Sequence, residues 1–421
     1  MALTPTPLAP SLDDIWSMSG IAHESFCPYL KYVTPHQRKI AAIVSSLLEW
    51  YPKNARDLPW RRTTDPYAVF VSEIMLQQTQ VKTVLPYWKR WMRALPDVEA
   101  LARAKPERLH KLWEGLGYYR RVRNLQRAAR IIRSEHGGKF PASFEQVLSL
   151  PGVGRYTAGA ICSIAFNQPT PILDGNVMRV LTRLYDIQTN PRESATNTRL
   201  WGLAEELVQR AAQAASKPLA HVSRFTFHAS GSCSQFNQAL MELGALVCTP
   251  RRPRCELCPL AGDCLARHRG RAEELPKLVR SQPATPRRFV AFIARNRGRF
   301  LVRRRPAGGV NAHLWEFPNV ELTRNGGNPD WDDGDEVLHE AARGVLGGAP
   351  GSLEAFCTIK HSITRYRITL DVFRVPGETA ASAGAGGCWL TAGELSRLPF
   401  TGAHKRILRR LSSKPARAMK E

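Results

Sequence analysis

The chain has 421 residues, which is too many for one ordinary domain and predicts two, with three as the alternative. Hydrophobic residues make up 43% of it, enough for sizeable cores, and the formal net charge of +24 indicates nucleic acid or another polyanion as the partner. The sequence has neither a run of about 18 apolar residues nor the basic start and apolar run of a signal peptide. We therefore expect an intracellular, cytoplasmic protein, associated with the nucleoid if the source is a prokaryote, and no contact with a membrane.

The first part of the chain divides into segments of different character. Residues 1–35 are rich in proline and serine and are predicted to extend from the rest or to wrap around it. Residues 36–274 carry apolar side chains at three- and four-residue spacing, which predicts an almost wholly helical domain. Within them, residues 211–234 are aperiodic and rich in small side chains, which indicates a surface insertion.

The carboxyl-terminal part has a different pattern. Residues 275–288 contain three prolines and four basic residues and are predicted to be a linker. In residues 289–421, alternating β-branched stretches predict strands, and DEVLHEAARGVLGG (335–348) predicts a short helix that ends on glycine. The expected fold is therefore a mainly α domain followed by an α+β domain.

Four cysteines stand close together as C-x6-C-x2-C-x5-C: Cys248, Cys255, Cys258 and Cys264. Nine cysteines in an intracellular chain are not expected to form a disulfide framework. Four neighbouring thiolates bind either zinc or an iron–sulfur cluster, and their spacing alone does not choose between the two. The intervening segment is basic, so such a metal-bound loop is also suited to hold arginines toward phosphates.

The stretch LPGVGRYTAG (150–159) predicts a tight turn between two helices. Gly152 and Gly154 permit backbone angles and a close approach that a Cβ would forbid. The amides at the start of the following helix, from Arg155 onward, then form a site suited to a phosphate. The alternative is a helix–helix corner in which the glycines serve only packing.

Two carboxylates are candidates for chemistry. Asp174 directly precedes Gly175 and an amphipathic helix, so it is expected to cap that helix and can still direct its carboxylate into a cleft. Glu73 lies within the apolar segment FVSEIMLQQTQV (70–81). Taken alone, that position favours a solvated helix face over a pocket in which burial raises the carboxyl pKa.

Together these motifs resemble the helix-hairpin-helix DNA glycosylases of the endonuclease III branch, and within it the MutY-type adenine DNA glycosylases. The segments that carry the resemblance are LPGVGRYTAGAI, LDGNVMRVLTRL, FVSEIMLQQTQV, GLGYYRRVRNL and the four-cysteine spacing. They agree in order from about residue 36 to the carboxyl end, with an interruption at residues 211–234. The resemblance implies that the cysteines hold a [4Fe–4S] cluster rather than zinc.

The resemblance also implies a role for each matching residue. Glu73 matches the general acid that protonates adenine N7, and Asp174 matches the carboxylate that stabilises the oxocarbenium-like sugar. One carboxyl group must then be protonated and the other ionised, so we expect their surroundings to separate their pKa values. Tyr156 and Asn176 match residues that position the carboxylates, the sugar or the attacking water. Since adenine must first leave the duplex, further matching residues are implied to fill the gap beside the opposite base: Gln78, Thr79, Leu116 and Tyr118.

Tyr156 bears on the class of reaction. Relatives that also cut the strand have a lysine at this position, whose amine forms a Schiff base with the sugar. A phenol forms no Schiff base. The sequence therefore predicts a monofunctional glycosylase that releases the base and leaves the backbone intact.

The second domain resembles the Nudix-like module that reads oxidised guanine in the same family. Its segment HEAARG (339–344) lacks the paired acids of a nucleotide hydrolase, so nucleotide hydrolysis is not expected. Many family members have Phe-Ser-His in the loop that touches 8-oxoguanine, and here the matching residues are Ile363, Thr364 and Arg365. Thr364 keeps a hydroxyl able to bond the lesion, and Arg365 is suited to a phosphate.

The predicted partner is double-stranded DNA with adenine opposite 8-oxoguanine or guanine, bound by a monomer. Two alternatives remain. One is a mismatch thymine or uracil glycosylase of the same superfamily, against which Glu73 and the second domain count. The other is a DNA-binding iron–sulfur protein without catalysis, against which the presence of both Glu73 and Asp174 counts.

Overall fold

The structure is a computed structural model that describes residues 34–214, 231–279, 283–322, 335–378 and 387–412. Three predicted segments lie wholly or partly outside these ranges. They are the extension at residues 1–35, the insertion at residues 211–234 and the linker at residues 275–288. The assigned character stays a prediction for the residues outside these ranges. Residues 285–288 of the predicted linker instead pair with residues 366–369 as part of a strand, and residues 211–213 and 232–234 of the predicted insertion belong to helices.

Local sequence signals set the ends of the helices in the first part of the chain. The first helix begins after Thr34, whose hydroxyl accepts from the Gln37 amide (3.2 Å) while the Gln37 side chain accepts from the Thr34 amide (2.9 Å). A proline at the first helical position starts two further helices, at Pro66 and Pro106. None of the helices in the described ranges is long and apolar enough to span a membrane. The helices of this part are, in chain order, Pro35–Asn54 (α1), Pro66–Leu76 (α2), Val81–Ala94 (α3), Val98–Arg103 (α4), Pro106–Trp113 (α5), Arg120–Glu135 (α6), Phe144–Ser149 (α7), Arg155–Phe166 (α8), Gly175–Leu184 (α9), Ser194–Gln213 (α10), Ser232–Leu246 (α11) and Leu265–His268 (α12).

One stretch with helical periodicity is divided in the structure. α2 ends at Leu76 and α3 begins at Val81, so the polar residues 77–80 form a loop between them. Gln78 in this loop has a φ of 55°, in the left-handed region that non-glycine residues rarely adopt. Glutamine is a good helix former, so the sequence pattern did not indicate this break.

The core of the helical part surrounds α2. Every side chain of α2 from Tyr67 to Met75 is buried, because α3, α6 and α8 all pack against this helix. Val71, Met75 and Ile161 of this core have no exposed surface. A helix that is apolar on all sides belongs in an interior, so a polar group on it is enclosed by protein.

The described residues of the second part form two four-stranded sheets and three helices. The elements are Thr285–Ile293 (β1), Arg295–Asn296 (β2), Arg299–Arg304 (β3), Trp315–Glu316 (β4), Asn319–Leu322 (β5), Asp335–Leu346 (α13), Glu354–Ile363 (β6), Tyr366–Arg374 (β7), Gly387–Leu390 (β8), Ala392–Arg397 (α14) and Gly402–Ser412 (α15). In the first sheet the order is β5-β1-β7-β6, with β1 parallel to β7 and the other pairs antiparallel. In the second sheet β3 pairs with β2, β4 and β8. This order of a helical part and then an α+β part confirms the predicted fold class.

Strand β1 carries a core on each face. Val290 and Phe292 pack in one cluster with Leu346 of α13, whereas Ala291 and Ile293 pack in another with Ile407 of α15. This alternation follows from the two-residue period of a strand. Helices therefore cover both faces of the first sheet.

The two parts of the chain touch each other. Leu314 of the second part is fully buried in the core cluster of the helical part. An Arg304 amino group lies 3.4 Å from the Glu107 carboxylate, and Arg123 Nη1 donates to the Ala312 carbonyl at 3.4 Å. The second part therefore lies against α5 and the first turns of α6.

Candidate active site

Glu73 is a carboxylic acid on the apolar helix α2, and the helices packed around α2 bury it. Its exposed fraction is 6%, so the solvated helix face that its segment favoured on its own is wrong. The Tyr156 hydroxyl, from the first turn of α8, donates to Glu73 Oε2 at 2.8 Å. The Met241 sulfur of α11 lies 3.2 Å from the same hydroxyl. Three helices therefore meet at the Glu73 carboxyl group.

Asp174 caps helix α9, as its sequence predicted. Its Oδ1 accepts from the backbone amides of Asn176 (2.9 Å) and Val177 (2.7 Å). Its Oδ2 accepts from the Asn176 side chain at 2.9 Å. Arg179 Nη2 in turn donates to Asn176 Oδ1 at 2.9 Å, which fixes the amide of Asn176. The Asp174 carboxylate is thus held by its own helix and remains half-buried.

The two carboxyl groups influence each other. The pKa of Glu73 is raised to about 7, chiefly by burial and also by the negative charge of Asp174, while the hydrogen bond from Tyr156 and the charge of Arg61 lower it. Burial also raises the pKa of Asp174, but its hydrogen bonds from Val177 and Asn176 oppose that rise. Glu73, with one donor, is therefore expected to keep its proton to higher pH than Asp174, which accepts from three donors.

The glycine turn before α8 has one glycine that its conformation requires. Gly152 has a φ of 82°, and a Cβ there would lie 2.8 Å from the Asn124 Cβ. Gly154 has a φ of −106° and open space where a Cβ would be, so the expectation that its backbone needs glycine is wrong. The Arg155 guanidinium stacks 4.0 Å from the centroid of the Trp201 ring. Phosphate binding by this turn stays a prediction.

A second loop lies beside the 77–80 loop. The connection between α5 and α6 contains the loop 115–118, and Tyr118 in this loop has a φ of 48° and an exposed fraction of 47%. Gln78 is also exposed, whereas Leu116 is buried with an exposed fraction of 6%. The structure thus brings together the residues that were predicted to fill the gap beside the opposite base.

Arg121 joins these two loops. Its Nη1 donates to the carbonyl groups of Ile74 (3.0 Å), Met75 (2.9 Å) and Gln77. Its Nη2 donates to Thr79 Oγ1 (3.2 Å) and to the carbonyl groups of Leu116 (3.1 Å) and Gly117 (3.2 Å). One buried guanidinium therefore holds the end of the helix that carries Glu73 to the loop that carries Tyr118.

Sequence reasoning did not single out Arg121, nor the acidic centre beneath the site. Glu242 is fully buried, and although burial favours its neutral form, hydrogen bonds from Arg56 and Arg61 hold its pKa at about 2. Arg61 also lowers the pKa of Glu73. The segment GLGYYRRVRNL contains Arg121 among other arginines, and nothing in the sequence indicates which of them is buried.

The four clustered cysteines form no disulfide and are half-buried. The pKa of Cys258 is raised to about 12, chiefly by burial and also by the neighbouring Cys248, Cys255 and Cys264. Arg183 Nη1 lies 3.2 Å from Cys248 Sγ. Adjacent thiolates that repel one another fit a group that brings positive charge, as an iron–sulfur cluster does.

In the ranges that the structure describes, no group of three or more His, Cys, Asp or Glu side chains is spaced to hold a single metal ion. In a [4Fe–4S] cluster each cysteine binds a different iron, so its four thiols need not converge on one point.

The residues predicted to contact the lesion lie in the second part. Thr364 and Arg365 form the two-residue turn between β6 and β7, and both are exposed. Thr364 has a φ of 50°. The Arg365 guanidinium lies 5.2 Å from the centroid of the Tyr366 ring. The turn therefore presents a hydroxyl and a cation at the edge of the first sheet.

Three family models match the chain in the order that these features suggest. Residues 71–206 match the HhH-GPD superfamily base excision DNA repair protein, residues 248–264 the iron-sulfur binding domain of endonuclease III, and residues 289–410 the NUDIX domain. The fold and the site thus define a base excision repair DNA glycosylase of the helix-hairpin-helix class. The match at residues 248–264 decides for the iron–sulfur cluster over zinc.

Individual relatives narrow the class. The adenine DNA glycosylase of Mus musculus is 36% identical over an alignment of 425 positions, gaps included. The alignment covers 88% of this chain and 78% of that protein. The adenine DNA glycosylase of Homo sapiens is 34% identical over an alignment of 433 positions, which covers 88% of this chain and 74% of that protein. A thermostable thymine-DNA glycosylase of known structure is 28% identical with a TM-score of 0.47, and covers 56% of this chain and 100% of its own. The chain belongs to the adenine DNA glycosylase family.

Proposed function

We propose that this enzyme hydrolyses the N-glycosidic bond of adenine that stands opposite 8-oxoguanine, and opposite guanine, in duplex DNA. The observation that carries the proposal is the buried Glu73 carboxyl group, which has a pKa of about 7 and lies beside the hydrogen-bonded Asp174. A proton donor next to a fixed carboxylate is what departure of a purine and stabilisation of a sugar cation require.

The proposed roles follow from the contacts. Glu73 gives its proton to adenine N7, so that the base leaves as a neutral molecule. Tyr156, whose hydroxyl bonds Glu73 at 2.8 Å, orients this carboxyl group. Asp174 faces the developing positive charge of the sugar, and Asn176 holds Asp174 by its side chain. Water then adds to the sugar cation and gives up a proton, which the carboxylate left on Glu73 takes back. Because Tyr156 supplies no amine, the strand stays uncut.

Binding of the duplex is assigned to two surfaces. We assign adenine extrusion and phosphate contact to residues 36–274, through the turn with Gly152, Gly154 and Arg155 and through the two loops joined by Arg121. We assign contact with the oxidised base to residues 289–421, through Thr364 and Arg365. When bound, the iron–sulfur cluster cross-links the basic loop 248–264. Since one chain supplies all the proposed catalytic residues, we propose a monomer that acts on DNA inside the cell.

A panel of mispairs tests the proposal. Under single-turnover conditions, we expect the wild-type protein to release adenine fastest opposite 8-oxoguanine, more slowly opposite guanine, and to release neither thymine nor uracil opposite guanine. The strand should break only after alkali, and borohydride should trap no covalent complex. Release of thymine or uracil, or efficient trapping, contradicts the proposed reaction. Equal rates opposite 8-oxoguanine and guanine contradict the proposed lesion contact.

A further inference from the structure

Glu114 is a buried acid at the start of the loop 115–118. Its exposed fraction is 5%, and both of its carboxylate oxygens are bound by the second part of the chain. The Phe400 amide donates to Oε1 at 2.9 Å, and the Lys405 ammonium binds Oε2. Such enclosure of a carboxylate is costly without donors, so these contacts fix the position of Glu114.

Lys111, one turn earlier on α5, binds the same region. Its ammonium donates to the carbonyl groups of Ser396 (2.7 Å) and Leu398 (2.9 Å) and lies 3.2 Å from Glu114 Oε2. We call this set of contacts the Glu114 clamp: Lys111 and Glu114 on one side, and residues 396–405 on the other.

On the helical side, the clamp continues into the loop with Tyr118. The Glu114 carbonyl accepts from the Tyr87 hydroxyl at 2.8 Å, and the φ of 107° at Gly115 then turns the chain where a Cβ would clash with that hydroxyl. The carbonyl groups of Leu116 and Gly117, which follow Gly115, are those that Arg121 holds. Arg121 also holds the end of α2, which carries Glu73.

On the other side, the clamp continues toward the turn with Thr364. Lys405 belongs to α15, and the neighbouring Arg406 donates through Nη1 to the Lys360 carbonyl of β6 at 3.3 Å. Strand β6 leads directly into the turn at Thr364 and Arg365. Hydrogen bonds and short stretches of backbone therefore connect the strand of the proposed lesion contact to the helix of the proposed acid.

We propose that Glu114 is a positioning residue through which the second part of the chain fixes loop 115–118. Contact with the oxidised base thereby determines how well ordered the adenine site is. Coupling of this kind travels through contiguous contacts that hold both elements. The inference rests on the proposed function, because the lesion contact of the second part is itself proposed.

Two variants of the full-length protein test the clamp: Lys405→Met and Glu114→Gln. The matched control is Glu107→Gln, which removes the negative charge from an exposed contact between the same two parts, to Arg304, without touching the loop. The first measurement is hydrogen exchange of the amides of residues 114–121. We expect exchange to be faster by about fivefold or more in both clamp variants and unchanged in the control.

The second measurement is the single-turnover rate of adenine release opposite 8-oxoguanine and opposite guanine. In the clamp variants we expect the ratio of the two rates to fall by about fivefold or more, with the double variant losing no more than the larger single loss. The Glu107→Gln control should keep the wild-type ratio and a similar thermal midpoint.

The outcomes separate the clamp from the proposed function. Unchanged exchange in both clamp variants, or faster exchange with wild-type rates on both duplexes, overturns the positioning role. A wild-type protein without preference for 8-oxoguanine contradicts the proposed lesion contact instead. In that case we expect the clamp variants to show faster exchange and equal losses of the rate of adenine release on both duplexes. Faster exchange without a loss of rate on either duplex would overturn the positioning role.

Discussion

Replacing Glu73 by glutamine is expected to lower the single-turnover rate of adenine release by about 10²–10⁴-fold, the range for a general acid. The amide has nearly the same shape and still accepts the hydrogen bond of Tyr156, but it has no proton to give to adenine. The measurement is adenine release from a duplex with adenine opposite 8-oxoguanine, at saturating protein.

The matched control for this change is Glu135→Gln at the exposed end of α6, which should leave the rate unchanged. Binding of the duplex by Glu73→Gln is expected to stay close to that of the wild type, since the variant alters no surface charge. A Glu73→Gln protein that releases adenine within about threefold of the wild-type rate would rule out Glu73 as the acid.

Replacing Arg121 by methionine is expected to lower the free energy of unfolding by about 3 kcal/mol or more, because buried carbonyl groups without donors cost about 1–3 kcal/mol each. Methionine fills the space of the side chain but donates to none of the groups that Arg121 joins. We also expect adenine release to fall by about 10²-fold, because Gln78 and Tyr118 lose their fixed positions. Denaturant unfolding and single-turnover rates measure the two effects.

Two further variants make the Arg121 result specific. Arg120→Met removes the adjacent exposed guanidinium and should leave the free energy of unfolding nearly unchanged. Arg121→Lys keeps the charge, but an ammonium cannot reach both loops as the planar guanidinium does, so it should rescue only part of the loss. Full rescue by lysine would show that charge alone, and not the bridge between the loops, matters at this position.

The sequence predicted those parts of the site that depend on neighbouring residues. Asp174 caps α9 because an aspartate before an amphipathic helix accepts the free amides of its first turn. Gly152 was expected to take an angle reserved for glycine, and its φ is 82°. These features depend on only a few adjacent residues, so the sequence is enough to predict them.

The burial of Glu73 depends on tertiary contacts that the sequence does not show. An apolar segment around a glutamate fits both a helix on the surface and one enclosed on all sides, and only the packing of α3, α6 and α8 decides. The loop at residues 77–80 was missed for the same reason, because Arg121, distant in sequence, binds the carbonyl groups where α2 ends. The Glu114 clamp joins residues 286 positions apart, beyond any local pattern.

The dependence of adenine release on pH tests most directly whether Glu73 supplies the proton for the departing adenine. Because the pKa of Glu73 is raised to about 7, its proton is present below that pH and is lost above it. We expect the single-turnover rate to fall as pH rises through about 7 and then to approach a loss of about tenfold per pH unit. The Glu73→Gln variant should show no such fall. A wild-type rate that stays level to pH 9, or rises, would contradict the account.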